Sequence, residues 1–87
     1  MNVDENVARN NEYIQVLLKF DVQAFEDFLR RWDRPTWLLF KKETYKKKKV
    51  IICKMIMANQ KTFEQYDKSL VERAKKYLME NDKKENK

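Results

Sequence analysis

The sequence predicts an all-α protein, a small compact bundle of four or five short helices, on three observations. First, its 87 residues include no glycine and a single proline, Pro35. Glycine supplies the positive φ of tight hairpin turns and bulges, so a chain without it is biased toward helices joined by polar connections. Second, apolar residues recur at three- and four-residue intervals along several stretches, the period of a helix face. Third, eleven aromatic residues provide the bulk that disordered chains lack.

The first stripe is Ile14, Leu17 and Leu18, followed at the same spacing by Val22, Phe25, Phe28, Leu29 and Trp32. Either one helix spans about 11–32, or Asp21 caps a break after Phe20; the absence of glycine favours little or no break. The stripe closes at Asp33, because Pro35 biases Arg34 away from helix. Asp33-Arg34-Pro35-Thr36 then opens the next helix, with proline in its first turn. One continuous helix from there to Ala58 would put Lys41, Lys48 and Lys49 on the apolar face. The pattern therefore breaks between about 41 and 48, giving helices at roughly 35–42 and 47–58. The alternative is an α+β fold with a strand pair at about 37–40 and 50–57, which Val50-Ile51-Ile52 favours. Against it, residues 41–49 contain neither the glycine nor the asparagine of a two-residue hairpin turn. Near the end, Thr62 with Gln65 three positions on reads as a capping box. Phe63, Tyr66, Leu70, Ala74, Tyr77 and Leu78 follow at helical spacing, so a helix is expected from 63 to about 80.

Residues 1–87 are expected to form a single domain, with loose ends at about 1–10 and 81–87, where there is little or nothing to bury. Phe25, Phe28, Trp32, Ile52, Tyr66 and Leu70 are expected in its core, with Met55, Met57 and Met79 as filler. A chain this short buries only about 60–65% of the surface its unfolded form exposes, so that core is thin.

Composition excludes more than it names. No histidine is present, which removes the commonest general base and the commonest metal ligand. Without glycine there is no phosphate-cradling nucleotide loop. Cys53 is the only cysteine, and within Val50-Ile51-Ile52-Cys53 it reads as a small buried hydrophobe. An enzyme, a cofactor and a small-molecule substrate are not expected. The acidic start Met1-Asn2-Val3-Asp4-Glu5 has no apolar run of a signal peptide, and the longest apolar run is four residues. A cytoplasmic protein without a membrane partner is the expectation.

Charge is concentrated in one place. The stretch Lys41-Lys42-Glu43-Thr44-Tyr45-Lys46-Lys47-Lys48-Lys49 carries +5 of the chain's net +6. Six lysines there suit a phosphate-rich partner, with Tyr45 placed to stack on an unpaired base. Lysine lacks the bidentate geometry that reads guanine, so the expected nucleic-acid contact is not sequence-specific. The bland reading is a solvated connector that keeps a thin core soluble. A second cluster, Arg30-Arg31-Trp32-Asp33-Arg34-Pro35-Thr36-Trp37, combines the residue types that dominate protein interfaces. Arg34 and Trp37 are its candidates for a protein partner. Two function classes follow: a small basic protein that associates with nucleic acid, and a protein–protein regulator or adaptor, such as a phage or mobile-element accessory factor acting on a host protein.

Overall fold

The computed structural model describes residues 2–85, and among these every regular element is a helix. The chain falls into two compact units, Met1–Glu43 and Thr44–Lys87.

The first unit holds α1 (Asn2–Lys19), α2 (Val22–Trp32) and α3 (Arg34–Phe40). The break between α1 and α2 is real. Phe20 adopts φ 53°, the left-handed conformation that ends helices and usually belongs to glycine. Its N–H closes on Leu17 O at 3.0 Å. Asp21 then caps α2, its Oδ1 accepting from Gln23 N at 2.9 Å. Asp33 serves two helices. Its N–H ends α2 on Leu29 O at 2.7 Å, while its carboxylate starts α3 by accepting from Thr36 N at 3.3 Å and Thr36 Oγ1 at 2.8 Å. α2 packs on both α1 and α3. Val16, Leu17, Val22, Phe25, Phe28, Leu29 and Phe40 are buried. Phe25 is the hub: its ring stacks on Phe28 at 6.2 Å and takes Phe40 edge-on at 5.4 Å.

The second unit holds α4 (Tyr45–Ala58), α5 (Gln60–Tyr66) and α6 (Lys68–Glu85). α4 and α5 both pack on α6. Val50, Ile52, Cys53 and Ile56 of α4, Phe63 of α5, and Leu70, Val71 and Ala74 of α6 are buried. These positions in α4 and α6 recur at the helical period, so one face of each is apolar and is covered.

Several expectations need correction. Six helices stand among the described residues, rather than four or five. The extra one arises near Asp67, where a single expected helix is two. Asp67 accepts from Ser69 Oγ at 2.8 Å and Leu70 N at 3.3 Å, whereas Thr62, expected as the cap, lies inside α5. The strand-pair alternative is not supported, since 37–40 lies in α3 and 50–57 in α4. Tyr66 closes α5 with 56% of its surface exposed, because the break at Asp67 ends the apolar face there. Met79 is 64% exposed, and Trp32 is half-buried, its indole N–H donating to Glu12 Oε1 at 2.9 Å. Phe25, Phe28, Ile52 and Leu70 are buried as expected. Of the ends expected to be loose, residues 1, 86 and 87 lie outside the described residues; α1 starts at Asn2 and α6 runs to Glu85.

Candidate functional site

The lysine run is divided by the local structure. Lys41 and Lys42 lie in the turn after α3, and both are exposed. The Lys41 ammonium sits 4.5 Å from the centroid of the Trp37 ring, and the Arg34 guanidinium sits 5.4 Å from the same centroid. Both distances are within cation–π range. Arg34 and Trp37, read as a pair from sequence, are thus in contact. Trp37 itself is half-buried.

The remaining members open α4. Thr44 caps it, Oγ1 accepting from Lys47 N at 3.2 Å, and Tyr45, Lys46 and Lys47 form the first turn. That turn contains no acidic residue. Tyr45 is 66% exposed, beyond the end of the buried stripe that continues as Ile52 and Ile56. Lys46 and Lys47 are exposed, whereas Lys48 and Lys49 are half-buried. The Lys49 ammonium lies 5.3 Å from the centroid of Tyr77 on α6. Burial raises the Tyr77 phenol above its ordinary value, and the nearby Cys53 and Tyr45 add to the rise.

Lys54 belongs beside these residues and was missed in the sequence. Seven positions after Lys47 means two full turns, so both occupy one exposed edge of α4. The signal was present in the spacing but hidden by the apolar residues around it. Missed as well were Leu38 and Leu39, which are 43% and 69% exposed on α3.

Cys53 is wholly buried, and burial pushes its thiol up to about 11, with Lys49 pulling in the opposite direction. A thiol held protonated in this way is a poor nucleophile. Among the described residues, no group of three or more histidine, cysteine or acidic side chains is placed to hold a metal ion. Nor is any described helix long and apolar enough to cross a membrane. Compared with known protein families, with curated proteins and with solved structures, the chain matches none.

Proposed function

We propose that this chain is a non-enzymatic, cytoplasmic binding protein that associates with nucleic acid through Tyr45, Lys46, Lys47, Lys48 and Lys49, without reading its sequence. One observation carries the proposal: four consecutive lysines occupy the first turns of α4 with no acid among them. The N-terminus of a helix carries about half a positive charge, and a cation placed there costs rather than contributes about 0.3–1 kcal/mol. Fold stability therefore does not explain Lys46 and Lys47 in the first turn, whereas Lys49 further along also meets the Tyr77 ring. An anion does explain the first-turn pair, because backbone N–H groups, macrodipole and ammonium groups all attract it together. Tyr45, exposed at the same end, offers a ring face to an unpaired base.

The test is fluorescence anisotropy with generic single- and double-stranded oligonucleotides over a salt series. Binding should weaken as salt rises. Replacing Lys46, Lys47, Lys48 and Lys49 with Gln should flatten the log–log slope on duplex DNA by about 0.9 for each phosphate that is no longer neutralised. Absence of binding at about 50 mM salt, where non-specific attraction is strong, would remove the proposal.

A further inference from the structure

α3 packs on α2. Phe40 is 4% exposed against the Phe25 ring, and the Asp33 cap fixes the opposite end. Steps of about 100° per residue place Pro35, Leu38 and Leu39 together on the side away from Phe40. All three are exposed, Leu39 most at 69%. Single surface leucines are ordinary, but Pro35, Leu38 and Leu39 together leave much of an apolar helix face in water. Cations border this face. Arg34 and Lys41 are both drawn to the Trp37 indole, and Lys42 follows in the turn. Holding them at the ring reduces the side-chain freedom that a partner would have to remove.

We infer that the outward face of α3 is a docking surface for an acidic amphipathic segment of a partner protein. The segment's apolar side chains seat on Pro35, Leu38 and Leu39, and its carboxylates meet Arg34, Lys41 and Lys42. Charge decides the occupant. A second copy of the chain bears the same net +6, and a two-fold contact through this face would set its cationic border near itself. An anionic bilayer presents a continuous negative sheet, which the exposed acidic residues just before and after α3 in the chain, Asp33 and Glu43, oppose. A peptide places its charges singly and can avoid both. Nucleic acid offers phosphates but no aliphatic group to cover two leucines. This surface uses residues outside Tyr45–Lys49, so it stands or falls separately from the nucleic-acid reading.

Selection of the whole chain against a displayed library of random peptides tests the inference. Enriched sequences should combine Asp or Glu with Leu, Ile, Phe or Trp. Synthetic versions of them should bind about tenfold or more weakly to a Leu38→Ser, Leu39→Ser variant, the effect expected of removing central anchors. Leu39→Lys, at the most exposed position, provides a second variant that leaves packing untouched, and unchanged thermal midpoints certify both. Replacing Lys46 and Lys47 with Gln should leave peptide binding intact. No enrichment, enrichment of basic or neutral peptides, or equal binding by the serine variant overturns the inference. So does loss, in that variant, of sedimentation with phosphatidylserine vesicles or of a concentration-dependent dimer, which would assign the face to lipid or to a second copy.

Discussion

The indole N–H of Trp32 donates to Glu12 Oε1 at 2.9 Å, and the other oxygen of that carboxylate takes the Arg31 guanidinium. One acid on α1 thus satisfies two consecutive residues of α2. The Arg31 side chain is 59% exposed, so water screens its share of the interaction. The indole is half-buried and loses more if its acceptor goes.

Glu12→Ala should therefore cost about 1–2 kcal/mol, read as a fall in the thermal midpoint followed by tryptophan fluorescence. Both tryptophans lie within residues 1–43, so fluorescence reports on this unit. Glu12→Gln keeps an acceptor for the indole and should lose less than half as much. Equal losses in the two variants would show that the carboxylate charge, not the indole bond, is what matters.

Phe20 gives the second prediction. At φ 53° a Cβ is crowded by about 1–2 kcal/mol, and no glycine is present to relieve it. Phe20→Gly and Phe20→Ala both remove the half-buried ring, so their difference isolates the backbone. The glycine variant should be the more stable by about 1 kcal/mol, the reverse of the usual order in helices. Denaturant midpoints with unchanged slopes are the measurement, and an alanine variant as stable as glycine would contradict the positive-φ geometry.

How far the sequence discloses this structure depends on whether a signal is local. Asp33 and Pro35 mark the α2–α3 junction plainly, because capping chemistry and proline geometry act within four residues. The α1–α2 junction is only half legible. Asp21 looks like a cap, but nothing in a phenylalanine announces a left-handed φ. Asp67 escapes notice because Phe63, Tyr66, Leu70 and Ala74 keep helical spacing across it, although Asp67 with Ser69 and Leu70 carries the cap signal in residue type. At the candidate sites, the lysines of α4 are visible as a charge run. Leu38 and Leu39 are not, since Trp37-Leu38-Leu39-Phe40 has no phase of its own. A seven-residue helix turns one side inward, and here packing of Phe40 on Phe25 decides which.

Alkaline pH should weaken the fold. Burial favours the neutral thiol of Cys53, pushed up to about 11 from an ordinary 9.0, and also raises the phenols of Tyr13 and Tyr77. Above the ordinary thiol value the unfolded chain has released a proton that the folded chain still holds. The sign of the linkage is then negative: stability is full below about pH 9 and falls as pH rises toward 11. Urea midpoints measured from pH 8 to 11 check this, and Cys53→Ala should flatten the part of the decline that lies below the tyrosine range. A disulfide reagent at pH 8 should label Cys53 only as the protein unfolds.

The strongest test of why lysines open α4 is to reverse them. Lys47 stands three positions after the Thr44 cap, so Lys47→Glu converts Thr44-Tyr45-Lys46-Lys47 into the reciprocal capping-box pattern. Lys46→Glu adds a second acid beside the positive end of the helix. Each reversal should stabilise the fold by about 0.3–1 kcal/mol at low ionic strength, and added salt should shrink the gain. If the lysines serve an anionic partner, the same double variant should lose oligonucleotide binding while its thermal midpoint rises. Stability and binding would then move in opposite directions from one pair of substitutions. A midpoint that falls instead would show that the lysines support the fold, and their position at the helix start would no longer point to an anion.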